Sequence, residues 1–218
     1  MDDRAPSAPA RTYRSELRAR QAKETRGRIV DASARLFSAQ GYQSTTLAAI
    51  AREAGVSAET VKAAASKAEL LIAAFEVTFS GSEGAESLTE TDVAEGVLAL
   101  PDEIFLDAVL ARITDANARG HALWTVLLGA ASSDPVVDAA LQLTLARRSA
   151  DYRWVVRELV DRGYAGDLPD HDATAAALSF LLSPEGYQQL VGQSGWSPER
   201  YTRWLRGAVM RELATPPS

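Results

Sequence analysis

The chain has 218 residues, 46% of them hydrophobic, which is enough apolar mass for one large domain or two small ones. It has no cysteine, no apolar run long enough for a membrane span and a polar, Arg-rich start, which excludes disulfides, thiolate chemistry, an integral membrane protein and a secretory signal, and fits a cytoplasmic protein. The formal charge of −6 is uneven: residues 1–70 carry 12 Lys/Arg against 8 Asp/Glu, a balance of +4, and residues 71–218 carry 11 against 21, a balance of −10.

In chain order, residues 1–10 are rich in Pro, Ala and Asp and are expected to be disordered. Residues 11–28 hold seven basic and two acidic side chains, as either a disordered basic arm or an N-terminal extension of the first helix. That helix is predicted over 25–40, with Ile29, Ala32, Leu36 and Phe37 as its apolar stripe and Gly41 as its end. Thr45 and Thr46 offer an N-cap for a second helix whose inner face is Leu47, Ile50, Ala51 and Ala54. Gly55 then stops the helix, because glycine enters the left-handed conformation at little steric cost. Val56 plugs the turn, Ser57 caps a third helix over 58–65, and Val61 is its inward anchor. Two short helices crossing steeply at a small residue such as Ala51 form either an ordinary helical hairpin or a helix-turn-helix, whose second helix enters the DNA major groove. The basic flank favours the second, since phosphate attracts that charge.

Ser66 and Glu69 make a capping box that opens a fourth helix through Phe79, and Gly81 to Gly84 breaks it. Beyond that break the periodicity is helical throughout, with no strand pattern and no internal repeat. Helices are predicted over 87–100, 101–119, 121–132, 134–162, 170–193 and 197–213. Asp134-Pro135, Ser183-Pro184 and Ser197-Pro198 each pair a capping residue with Pro at the first helical position, and Ser183-Pro184 should kink or split the helix it interrupts. The fold class is therefore all-α: a basic arm over 1–21, a helix-turn-helix domain over 22–80 and a larger helical domain over 81–218. His121 and His171 are the only histidines, and no phosphate loop, nucleophile elbow or metal spacing is present. The expectation is a protein without catalytic residues, metal or cofactor.

Arg26-Gly-Arg28-Ile-Val-Asp-Ala, Leu36-Phe37, Gly41-Tyr42, Thr45-Thr46, Ile50-Ala51, Ala54-Gly55-Val56-Ser57, Thr60-Val61 and Ser66-Lys67-Ala-Glu-Leu-Leu71 resemble the N-terminal domain of the tetracycline-repressor (TetR) family over residues 22–79. The runs Leu182 to Val191 and Gly195 to Leu205 resemble a C-terminal pattern of the same family. The resemblance implies an all-α homodimer whose three N-terminal helices bind operator DNA. It also implies a larger domain that holds a small-molecule pocket and pairs through its last two long helices. The segment Thr60-Val-Lys62-Ala63-Ala64-Ala65-Ser66 departs from the family pattern. Lys62 stands where a Tyr is usual, alanines replace the following aromatics, and the link to the fourth helix is one residue shorter. Either the third helix is held differently and reads a different sequence, or the protein is a helical dimeric module for a small molecule or protein that has lost specific DNA binding.

Carried over residue by residue, Lys62 is expected to meet phosphate or a guanine edge, with Ala58, Glu59 and Thr60 on the base-reading first turn. Ser57 is a cap first and a phosphate donor second, and Thr46 matches a phosphate-contacting position. Lys67 is the foremost expected phosphate contact, with Arg26 and Arg28 as further backbone contacts and Tyr42 as a packing residue with its hydroxyl free for phosphate. Phe75, Asn117, His121, Trp124 and Tyr152 are the expected ligand-site residues, and Trp196, Tyr201 and Trp204 the expected dimer or inter-helix anchors.

Overall fold

A computed structural model describes residues 10–85, 87 and 96–214, the first six of these by backbone alone. The tail before Ala10 and most of the helix expected over 87–100 lie outside the described residues; 96–99 form turns. All regular structure among the described residues is helical.

α1 (Ala10–Ser44) incorporates the basic stretch, so the alternative of a helical extension holds from residue 10 onward. Gly41 interrupts it at φ 78° and ψ 177°, where the sequence places the end of the helix. α2 (Leu47–Ala54) is capped by Thr46, whose hydroxyl accepts from Ala49 N at 3.1 Å. Gly55, at φ 66° and ψ 39°, closes it as a left-handed cap. α3 (Ala58–Ala64) is capped by Ser57. Ala65 is extended, and α4 (Lys67–Ser80) opens with the complete Ser66/Glu69 box: Ser66 N donates to Glu69 at 2.7 Å and Glu69 N to Ser66 at 3.2 Å.

The helices expected over 101–119 and 121–132 are one rod, α5 (Asp102–Ala131), because Gly120 serves packing rather than termination. A Cβ there would lie 2.9 Å from Cδ2 of Phe79, so its absence lets α4 and α5 approach closely. α6 (Pro135–Asp161) starts on the Asp134 cap. The helix expected over 170–193 is split at Ser183-Pro184 into α7 (His171–Leu181) and α8 (Pro184–Tyr187), followed by a π-helical turn over Gln188–Gln193 and then α9 (Pro198–Leu213).

Two apolar cores result. The first joins α1 to α4 around Ile29, Phe37, Ile50, Val61 and Leu71, and also takes Leu123, Trp124 and Leu127 of α5 and Val137 and Leu141 of α6. The N-terminal helices thus do not close their core alone. The second core gathers the first half of α5, the second half of α6 and α7 to α9 around Leu110, Val156, Leu178, Tyr201 and Leu205. α4, α5 and α6 bridge the two cores. Among the described residues no helix is long and apolar enough to cross a membrane.

Candidate nucleic-acid interface and ligand cavity

α3 touches its scaffold through one buried side chain, Val61, which is 0% exposed. The period of the helix then turns Glu59, Thr60, Lys62 and Ala63 outward, and all four are exposed. Ser57 Oγ accepts from Thr60 N at 3.1 Å and lies 2.9 Å from the Thr60 hydroxyl, which fixes the first turn. The backbone N–H groups there and the Ser57 hydroxyl hold the Glu59 carboxyl below its ordinary range, so it is an acceptor at neutral pH. Five of the residues expected to meet DNA, Ser57, Ala58, Glu59, Thr60 and Lys62, are therefore together on one short outward rod and its cap. Thr46 is exposed at the start of α2, its hydroxyl occupied as a cap acceptor.

The remaining expected contacts have internal partners. Arg26 donates from Nε to Glu83 at 3.0 Å and from Nη1 to the Ala64 carbonyl at 3.3 Å. It ties the last turn of α3 back to α1 where the sequence has alanines instead of aromatics. Lys67 points back at the end of α1: its Nζ lies 4.3 Å from the Tyr42 ring centre and donates to the Gln43 carbonyl at 3.4 Å. Desolvation lowers its pKa, opposed by Asp134. The Tyr42 hydroxyl is not free, since it donates to Asp134 Oδ2 at 2.6 Å. Burial, that hydrogen bond and the Asp134 charge raise the phenol's pKa, while the same hydrogen bond, the Val136 and Val137 amides and Lys67 lower that of Asp134. Gln43 Nε2 adds a bond to Ser133 Oγ at 3.3 Å. These contacts latch the end of α1 and the start of α4 to the α5–α6 corner. Arg28 is exposed and donates to Thr25 within α1.

A cavity of about 140 Å³ lies between α4, α5 and α6. It brings together Phe75, Trp124 and Tyr152 of the expected ligand residues, with Phe79 beside them. Phe75 stacks on Phe79 at 5.5 Å and packs on Trp124 at 5.5 Å. The Tyr152 hydroxyl is pushed up to about 12 by burial, so it stays a neutral phenol. Asn117 and His121 do not line the cavity. Asn117 is 0% exposed and donates to the Leu182 and Ser183 carbonyls at 3.1 and 3.4 Å, which satisfies the backbone freed by the α7–α8 break. His121 packs at a tilt on Tyr187, ring centres 5.4 Å apart. Tyr201 is fully buried and packs on Tyr187 and Trp204, so it anchors α8 and α9 within one chain rather than between chains. Sequence inspection missed the cavity's charged lining, Glu76, Arg147, Arg148 and Asp151. Its signal was the spacing of residues 144, 148 and 152 on one face of α6. No group of three or more His, Asp or Glu side chains able to hold a metal ion occurs among the described residues.

Residues 29–74 match the family described as bacterial regulatory proteins, tetR family. Curated proteins give no match. Among solved structures, one assigned as a TetR-family transcriptional regulator from Rhodococcus sp. is similar at TM-score 0.66 and 19% identity, over 88% of this chain and 100% of that one. A protein assigned as a transcriptional regulator from Pseudomonas aeruginosa PAO1 gives 0.64 and 19%, over 84% and 87%. MexZ, a key repressor responsible for antibiotic resistance in Pseudomonas aeruginosa, gives 0.60 and 19%, over 89% and 97%. At such identity the likeness establishes the fold. Residues 29–74 thus match the tetR-family model, and the chain shares the all-α fold of these three solved structures.

Proposed function

We propose that the chain is a ligand-responsive DNA-binding transcriptional regulator, most simply a homodimeric, cytoplasmic repressor that a small molecule releases from its operator. The observation that carries this is α3: one buried anchor, with Glu59, Thr60 and Lys62 turned to solvent, and its last turn held by Arg26 of α1. Lys62 and Glu59 have the chemistry to read guanine and cytosine edges, with Ser57 and Thr46 toward phosphate. In this division of labour 22–80 is the DNA-binding domain and 81–218 the ligand-binding and dimerisation domain. Pairing through the C-terminal helices would cover Phe180 of α7, an apolar side chain left 76% exposed.

The release route follows the two rods that link head and cavity. α4 begins beside α3 at Ser66 and lines the cavity with Phe75 and Phe79, about 13 and 20 Å further on. α6 begins at Asp134, in the Tyr42–Lys67 latch, and lines the cavity with Thr144, Arg148 and Tyr152. A ligand that separates α4 from α6 at one end moves the latch at the other, and with it the head. Two heads on one dimer bind one duplex face only at a fixed spacing. Selection of bound sequences from random duplex DNA tests this reading. An enriched two-fold-related site, with affinity falling steeply as salt rises, is expected. No enrichment with pure dimer refutes it.

A further inference from the structure

The chemistry of the cavity wall goes further than its shape. Two of its four charged side chains are carboxylates that already hold neutral donors: Glu76 Oε2 accepts from Gly84 N at 2.9 Å, and Asp151 Oδ1 from the Ser87 hydroxyl at 3.1 Å. The other two are guanidinium groups, each with one backbone carbonyl as partner. Arg147 donates to Ala85 O at 3.3 Å, and Arg148 Nη2 donates to Ser179 O. Among the described residues neither arginine lies within ion-pair distance of a carboxylate. A guanidinium carries five N–H donors in a flat fork, so a single carbonyl leaves most of that capacity unspent. Arg148 also lies 5.9 Å from both the Trp124 and Tyr152 ring centres, which restrains the guanidinium beside the cavity. Trp124 lines the cavity with its ring and is 2% exposed.

Among the described residues the wall holds two guanidinium and two carboxylate groups around the rings of Phe75, Phe79, Trp124 and Tyr152, and the guanidinium held against those rings with N–H donors to spare is that of Arg148. We propose that the cavity takes an aromatic carboxylate of one or two rings, its ring system among those side chains and its carboxylate paired with Arg148. A charged acceptor makes a shorter and stronger bond to a guanidinium than a neutral carbonyl does, so it displaces the Ser179 carbonyl. The volume of about 140 Å³ suits one ring, since an apolar cavity of about 150 Å³ holds benzene, and a second ring has to reach out through the cavity's open side. This inference rests on the cavity being the effector site proposed above.

The test is calorimetric titration of the full-length chain with 1-naphthoate, 1-naphthamide and 1-naphthylmethylammonium, and with benzoate, benzamide and benzylammonium. In at least one ring size the carboxylate should bind about tenfold or more tighter than the amide, with the ammonium weakest. Arg148→Gln should remove that difference and leave amide affinity unchanged. If Arg148→Gln fails to fold, Arg148→Lys, which keeps the charge and loses the fork, should narrow the difference. Equal affinities, or tightest binding of an ammonium, overturn the anionic assignment and leave the effector cavity standing. Binding of none of the six overturns the effector cavity as well.

Discussion

Truncating Val61 isolates how α3 is held. Val61 is the single buried side chain of that helix and is 0% exposed, so Val61→Ala removes two methyl groups from the first core. At about 0.8 kcal/mol per buried carbon group the transfer loss is about 1.6 kcal/mol. The unfilled space raises this toward 2–3 kcal/mol, and the better helix propensity of Ala returns roughly 0.5, giving a net loss of about 2 kcal/mol. Lys62, one residue on, is exposed, so Lys62→Ala should stay within about 0.5 kcal/mol of the parent. Urea denaturation followed by circular dichroism measures both. On DNA the order reverses in kind. Val61→Ala should weaken binding without changing the preferred sequence, because it loosens the helix but leaves its outer face, whereas Lys62→Ala should change the preference. A Val61→Ala cost below about 0.5 kcal/mol, or a Lys62→Ala cost above about 1.5, would show that α3 docks by another face.

Gly120→Ala places a Cβ 2.9 Å from Phe79 Cδ2 and 3.3 Å from Phe79 Cβ, and should cost about 1–3 kcal/mol by overpacking. Because Phe79 lines the cavity, the variant should also bind naphthoate more weakly; parent-like melting and binding would mean that α4 and α5 are not packed so closely. Arg26→Ala breaks the ties to Glu83 and Ala64 but removes only a partly exposed ion pair, worth at most about 1 kcal/mol. Proteolysis at residues 64–66 should nonetheless quicken and DNA affinity drop, and no change in either would refute its role in holding α3. Asp134 has a folded pKa held below the ordinary 3.8, chiefly by the Tyr42 hydroxyl. Its stabilisation is therefore complete above that value and is lost as pH falls through the lower folded one. Tyr42→Phe removes the main cause, so its melting temperature should fall less steeply than the parent's below about pH 4; parallel slopes would argue against the hydrogen bond.

Local chemistry was legible in the chain, and tertiary partners were not. Gly55, Ser57, the Ser66/Glu69 box and the Ser183-Pro184 split act within one or two helical turns, and each does in the fold what its residue type dictates. The central role of Val61 followed from the same periodicity. Gly120 misled because a glycine that ends a helix and one that admits a neighbouring ring look alike without the neighbour. Arg26 and Tyr42 looked free because their partners, Glu83 and Asp134, lie 57 and 92 residues away. Lys67 looked equally free, although it packs on Tyr42 near Asp134. Asn117 and His121 share an apolar helix with Trp124, but the helix turns them toward the α7–α8 break and Tyr187 rather than the cavity. Arg148 passed unnoticed because a lone arginine on an amphipathic helix reads as a solvated charge until two rings are found beside it.

The central claim, that the exposed face of α3 reads DNA, is tested most directly by repeating the random-DNA selection with a chain carrying both Glu59→Ala and Lys62→Ala. A parent-like melting temperature is expected, with an enriched site whose bases differ from the parent's at symmetrically placed positions in each half. An enriched sequence identical to the parent's, recovered with the same affinity, would contradict it.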